Sequence, residues 1–214
     1  MVNILADPIL TPAETARHLS IPESTVYSWL AEKAAGDPLV HSVPQHRRGW
    51  PSVPFVAVIE AYVLRSLRDM KLSKRKIAAA AAEVRHTFGT PYGLATNKIA
   101  TDGIDLFIHH MDEDDLARVG DGQRPIRETI KDHLRYVTWP EGETFPSRLV
   151  LSQYEDATVV IDPRFGWGTP VEESTRTPVS ALVSMWRAGE SFDAVAEDYG
   201  LERDTVEKII RVAA

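Results

Sequence analysis

A proline stands between two short helix-forming stretches near the start of the chain, and neither stretch can run through it. Pro22 lacks an N–H and disfavours helical geometry at Ile21, so Ser20-Ile21-Pro22 forces a tight break. The stretch before it opens with Thr11-Pro12-Ala13-Glu14. Thr11 can accept from an orphan backbone N–H, Pro12 suits the first helical position, and Glu14 can reach back to the cap. Ala16 and Leu19 give this helix a short apolar stripe. In the second stretch Val26, Trp29 and Leu30 recur three and four apart and claim one face. Gly36-Asp37-Pro38 ends it. Two short helices across a tight break are the pattern of a helix-turn-helix, whose second helix enters the major groove of DNA.

With Val26, Trp29 and Leu30 turned inward, the outward positions are Glu23, Ser24, Thr25, Tyr27 and Ser28. Hydroxyl groups both donate and accept, which suits base edges and phosphates. Ser24, Thr25, Tyr27 and Ser28 are therefore the candidate base readers. Residues 39–54 read as a hairpin or wing: Leu39, Val40 and Val43 have strand propensity, and His46-Arg47-Arg48-Gly49-Trp50-Pro51 is a basic turn. Arg47 and Arg48 are candidate phosphate contacts, because a guanidinium meets phosphate in a bidentate fork. Phe55, Ile59, Tyr62, Val63 and Leu67 predict a helix over 55–69 with one apolar face. Ser73 predicts the cap of another, running through the alanines of 78–82 to a stop at Gly89. Lys71, Lys74, Arg75 and Lys76 sit at its start, where cations oppose the helix dipole. An external phosphate would compensate, so Lys74 and Arg75 join the candidate DNA contacts.

Charge divides the chain. The net charge is −7, yet residues 1–90 carry 11 Lys and Arg against 8 Asp and Glu, while residues 91–214 carry 13 against 23. A basic front and an acidic back imply two partners, double-stranded DNA for the front and a protein for the back. The absence of cysteine excludes disulfides, Cys-ligated zinc and a cysteine nucleophile. Residues 1–10 lack the basic and long apolar segments of a signal peptide, and no membrane-length apolar run occurs. A cytoplasmic protein with no membrane association is expected.

Beyond residue 90 the pattern is mixed. Leu106-Phe107-Ile108 reads as a strand, Ile126–Tyr136 as a helix, and 137–152 as a segment with room for a hairpin. Leu149-Val150-Leu151 and Thr158-Val159-Val160-Ile161 are strand candidates. Residues 177–214 predict three helices. Thr177-Pro178 repeats the start device of Thr11-Pro12, and Val179, Leu182, Val183 and Trp186 follow, with Gly189 as the stop. Ser191 caps a helix bearing Phe192, Val195, Ala196 and Tyr199, which Gly200 stops. Asp204 caps a third bearing Val206, Ile209, Ile210 and Val212. The expected fold class is α+β, mainly helical. It divides into residues 1–90, a DNA-binding domain; 91–157, a mixed connecting region; and 158–214, a three-helix unit.

Catalytic and metal chemistry find little support. His109-His110 and the acidic residues 112–115 supply ligand types, but neighbouring strand residues face opposite ways and no His-Glu-x-x-His spacing occurs. The pairs Glu155-Asp156 and Glu172-Glu173 are adjacent in sequence, which suits loops. Phosphate-binding glycine loops and nucleophile elbows are absent from the sequence. Phe165-Gly166-Trp167-Gly168 is too short for a nucleotide motif, and its aromatics either pack or meet a partner. No enzyme activity, cofactor or metal is expected.

Residues 11–30, then His46-Arg47-Arg48-Gly49-Trp50, then a helix and Met70-Lys71-Leu72-Ser73, together resemble the winged helix-turn-helix of MerR-type regulators. Lys71 stands where that family usually has glycine, and its long terminal dimerisation helix has no counterpart here. The back of the chain resembles a small domain found in bacteria as an uncharacterised family and in VapB-type antitoxins. Its motifs are Ile161-Asp162-Pro163, Gly168-Thr169-Pro170, Thr175-Arg176-Thr177-Pro178 and Ala188-Gly189-Glu190-Ser191, with Ser174 in place of a usual glycine. The combination resembles a VapB-like antitoxin. The resemblance implies a VapC-like PIN-domain ribonuclease toxin as partner, repression of its own operon, and a homodimer. The alternative is a stand-alone MerR-like regulator with a C-terminal dimerisation or effector domain. Trp167 and Arg176 are the candidate partner contacts. A bracing role for Arg176, paired with Asp162 or Glu172, competes with toxin contact.

Overall fold

The computed structural model describes residues 2–31, 33–34, 37–109, 111 and 123–214. Strand β1 (Pro8–Leu10) leads into helix α1 (Pro12–His18), and a tight turn leads on to α2 (Glu23–Ala31). The predicted capping box is present: the Thr11 hydroxyl accepts from the Glu14 N–H at 3.1 Å, and the Glu14 carboxylate accepts from the Thr11 N–H at 2.8 Å. Ser20 takes a left-handed conformation, φ 50°, at the break. Leu19 and Ile21 on either side of it are buried, which fixes the angle between the helices. Strands β2 (Lys33–Ala34) and β3 (Asp37–Pro38) make a minimal hairpin after α2.

Helix α3 (Phe55–Asp69) is the centre of the molecule. One apolar face was expected, but every residue from Phe55 to Leu64 is buried. A helix covered on all sides is one that other elements pack around. Helix α4 (Lys74–Phe88) starts at the Ser73 cap and stops at Gly89, which takes the left-handed cap conformation at φ 66°. Ala80 and Ala81 lie against the core and keep α4 close to its neighbours.

The strand expected at 106–108 is instead part of helix α5 (Asp102–His109). Ile104, Phe107 and Ile108 bury one face at spacings of three and four, so the apolar triplet belongs to a helical period that begins upstream. Helix α6 (Gln123–Leu134) follows. Of the acidic run read above as a metal candidate, His110 and residues 112–115 lie outside the described residues. Among the described residues no group of three His, Cys, Asp or Glu could hold a metal ion.

The segment at 137–152 does hold a hairpin. Strands β5 (Val137–Thr138), β6 (Arg148–Val150), β7 (Val159–Ile161) and β8 (Val171–Glu172) form an antiparallel sheet in that order. The chain ends in α7 (Val179–Arg187), α8 (Phe192–Tyr199) and α9 (Arg203–Ala213). Ser191 caps α8 and Gly200 stops it, as the sequence predicts. Four details differ. Pro178 is itself the cap of α7, and the Thr177 hydroxyl bonds Thr175 instead. Helix α9 begins one residue before Asp204, with Glu202 at its cap. Ala213, not Val212, completes its buried face, because 206, 209, 210 and 213 keep the helical spacing. Trp186 is 39% exposed, so the buried stripe of α7 is Val179, Leu182 and Val183.

Contacts to the C-terminal half help seat the helix-turn-helix. The His18 Nδ1 lies 3.1 Å from the Tyr154 hydroxyl, and the Gln153 amide donates to the His18 carbonyl. Gly168 packs against Ile9 so closely that a Cβ there would sit 2.8 Å from Ile9 Cγ2. Helix α1 is thereby covered, and α2 keeps a free outer face.

Candidate nucleic-acid interface

Val26 and Trp29 bury the inner face of α2, while Leu30 is only half-buried. This leaves Ser24 and Tyr27 exposed and Thr25 and Ser28 half-exposed. The hydroxyls of Ser24, Thr25 and Ser28 do not project alone. They line one wall of a surface groove of about 310 Å³, opposite Arg68, Leu72 and Lys74. The groove joins the end of α3 and the start of α4 to α2. Arg68 was not among the residues read from the sequence. Its signal is its place in the last turn of α3, just before the Met70–Ser73 junction, which brings it to the groove beside α2. Arg75 is exposed at the same helix start but does not line the groove. Tyr27 is half exposed, at 50%, on the outer side of α2.

The wing is a loop, not the expected ladder across 39–54. One main-chain hydrogen bond, Val43 N–H to the Ser52 carbonyl at 2.8 Å, closes it. Its foot, β4 (Val53–Pro54), pairs with β1 rather than with residues 39–43. Those residues are engaged elsewhere: Val40 donates to the Trp29 carbonyl near the end of α2. Leu39 and Val40 are fully buried, so their apolar character serves the core. Arg47 and Arg48 are exposed at the loop's turn, and neither has an acidic partner among the described residues.

A buried charge fixes the stretch between α2 and the wing. Glu60, fully buried on α3, accepts from the His41 N–H at 2.9 Å and faces the His41 ring at 2.8 Å. Arg85 of α4 approaches the same carboxylate at 3.4 Å and donates to the carbonyls of Pro38 and Leu39. A buried ion pair needs its polar atoms partnered; Arg85 meets this through its two terminal nitrogens, while its Nε is buried without a hydrogen-bond partner among the described residues. The sequence signal was an acid, Glu60, inside the otherwise apolar run from Phe55 to Leu64.

The front of the chain, residues 8–81, matches the family described as "Putative DNA-binding HTH domain". Residues 159–212 match a family described as a protein of unknown function. At full length, the chain is 31% identical to a protein of Mycobacterium tuberculosis named "Putative antitoxin VapB45", across 92% of this chain and 90% of that one. The chain belongs to that antitoxin family. The crystal structure of Rv2018 from Mycobacterium tuberculosis superposes with a TM-score of 0.74 at 28% identity, covering 95% of this chain and 98% of the other.

In this antitoxin-family chain the candidate partner contacts of the C-terminal half lie on one loop system. Trp167 is 84% exposed and left-handed, φ 57°, between Gly166 and Gly168, which are left-handed too. Arg176 pairs with neither expected carboxylate. Its guanidinium stacks 3.6 Å from the centre of the Phe165 ring. Asp162 is taken by Arg164 in a two-pronged pair, and Glu172 by the Ser174 and Thr175 N–H and hydroxyl groups. Burial pushes both carboxyls up, but these hydrogen bonds outweigh it and hold both below their ordinary values. No helix among the described residues is long and apolar enough to cross a membrane.

Proposed function

We propose that this chain is the antitoxin of a type II toxin–antitoxin pair, neutralising a VapC-like PIN-domain ribonuclease and repressing its own operon. One observation carries the reading: the likeness to a named antitoxin runs through both halves of the chain, joining a helix-turn-helix to an acidic C-terminal half. For the DNA step, Ser24, Thr25 and Ser28 read base edges from α2, with Tyr27 beside them. Arg47, Arg48, Arg68, Lys74 and Arg75 hold phosphates, as a homodimer would on two half-sites. For the protein step, Trp167 and Arg176 meet the toxin, since exposed Trp and Arg are the side chains that dominate interfaces. The uncovered face of α9 favours a protein over a second DNA site. Glu207 bridges Arg203 and Arg211 there, so little free cationic charge is left for phosphate.

The test is co-expression with the adjacent reading frame, expected to encode a small PIN-type protein. The pair should co-purify, the ribonuclease should be silent in the complex, and the complex should bind the DNA upstream of both frames. Ribonuclease activity undiminished by this chain, with DNA binding intact, would leave a stand-alone regulator.

A further inference from the structure

The wing loop carries an aromatic side chain that the reading above does not use. Trp50 is 52% exposed, one of the few large apolar side chains left in solvent. Its backbone is fixed on both sides. The Trp50 N–H donates to the Arg47 carbonyl at 3.0 Å, and the Gln45 amide donates to the Trp50 carbonyl at 3.0 Å. Two residues on, the Ser52 N–H donates to the Leu10 carbonyl, and its own carbonyl closes the loop on Val43. Gly49 makes the turn at φ 84° with open space around it. The loop also stays with the reader helix, through Val40 on the Trp29 carbonyl and through the Glu60–Arg85 brace.

So a hydrogen-bonded turn presents an indole, beside two guanidiniums without acidic partners among the described residues, next to a helix-turn-helix. The matching partner offers phosphates for the cations and a flat aromatic face for the indole. Nucleic acid has both. A paired, stacked duplex hides its base faces, so the indole can reach one only where a base step opens. Apolar side chains inserted at such steps unstack and kink the duplex, and stacking of a base on an aromatic ring binds it without sequence preference.

We infer that Trp50 is a wedge: on binding, its indole enters an opened base step beside the major-groove site and stacks on a base, while Arg47 and Arg48 hold the flanking phosphates. The inference rests on the DNA-binding reading above and adds a distortion of the duplex to it. Steps that open readily, pyrimidine followed by purine, would be preferred there.

The probe is a duplex that the full chain selects from a random-sequence pool, remade with 2-aminopurine at each adenine in turn. With the natural chain, 2-aminopurine emission should rise several-fold at one or two neighbouring positions. Trp50→Ala should abolish that rise and weaken binding by about 10-fold, with an unchanged salt slope. Trp50→Leu, which keeps an apolar wedge without the indole, should restore part of the rise; it also replaces the alanine variant if that one does not fold. Three results would overturn the wedge. They are binding by the natural chain without any rise in emission, a full rise with Trp50→Ala, and a loss of protein-partner capture with DNA binding unaffected. A natural chain that selects no duplex overturns the DNA reading itself, and the wedge with it.

Discussion

Tyr62 and His133 hold each other twice. The Tyr62 hydroxyl donates to the His133 carbonyl at 2.8 Å, and His133 Nε2 donates to the Tyr62 carbonyl at 2.8 Å, with the rings stacked 4.0 Å apart. The pair ties α6 to the central helix α3, so the elements behind the DNA-binding face are bolted to the helix that supports it. Tyr62→Phe leaves the His133 carbonyl without its buried donor and should cost about 1–2 kcal/mol. Denaturant unfolding measures it. A variant as stable as the natural chain would show that the carbonyl finds another donor.

His18 makes the seat of α1 sensitive to acid. Burial pushes its pKa from 6.5 down to about 4, with smaller effects from Glu14, which raises it, and Arg17, which lowers it. Burial also lowers that of His133. A histidine held neutral in the fold takes up its proton more readily when unfolded. Its contribution is complete above about pH 6.5 and is lost as the pH falls toward 4. At 1.36 kcal/mol per pKa unit the loss from His18 is about 3 kcal/mol. Melting followed from pH 7 to pH 4 should show this fall, and His18→Gln should flatten it. An equal slope in the variant would place the acid sensitivity elsewhere.

Glu60 supports the wing from beneath. Glu60→Ala leaves the Arg85 guanidinium buried without its counter-ion and frees the His41 N–H. Breaking one side of a buried pair costs about 3–5 kcal/mol. Hydrogen exchange should speed up at His41 and Val43 before it does so in α7–α9. Exchange that rises uniformly would mean that the cluster stabilises the whole fold and not the loop in particular.

Local signals carried much of this architecture. Thr11, Ser73, Ser191, Gly89 and Gly200 start or stop helices by chemistry within a few residues, and all five act as read. The misread elements depend on distant partners. Leu106-Phe107-Ile108 is a strand by composition, but a helix once Ile104 and the face it covers are counted. Leu39 and Val40 have strand propensity, yet burial under α2 decides their place. At the candidate interface, the inward set of Val26 and Trp29 exposed the hydroxyl face of α2 from spacing alone. Arg68 and Glu60 needed the fold, because a groove wall and a buried brace are made by residues far apart in sequence.

The two kinds of DNA contact should separate by salt. Replacing both Arg47 and Arg48 with Ala should reduce the slope of log affinity against log salt by roughly 1–2 units, at about 0.9 per phosphate contact. Thr25→Ala should leave the slope alone and cost about 1–3 kcal/mol at one base position. Binding to a series of single-base variants, titrated at several salt concentrations, reads both. If the Thr25 variant weakens equally on every sequence, that hydroxyl contacts backbone and not a base edge.

Arg176, stacked on Phe165, and Trp167, two residues after Phe165, should fail in opposite ways. Arg176 is left-handed, φ 60°, and its guanidinium covers Phe165. Arg176→Ala removes the stack and keeps the unfavourable backbone, a loss of about 0.5–1 kcal/mol at an exposed site. Arg176→Gly removes the same stack but relieves the backbone, because glycine accepts positive φ freely. The glycine variant should therefore melt close to the natural chain and the alanine variant below it. Trp167 is 84% exposed, so Trp167→Ala removes almost no buried area and should leave the melt of the free chain unchanged. Its effect belongs to the complex: if the indole anchors the toxin, titration of the ribonuclease with this variant should need far more antitoxin for the same inhibition. Equal inhibition by Trp167→Ala and the natural chain, with both folded, would remove the indole from the interface. The Arg176 variants then decide whether the neighbouring turn serves the fold alone.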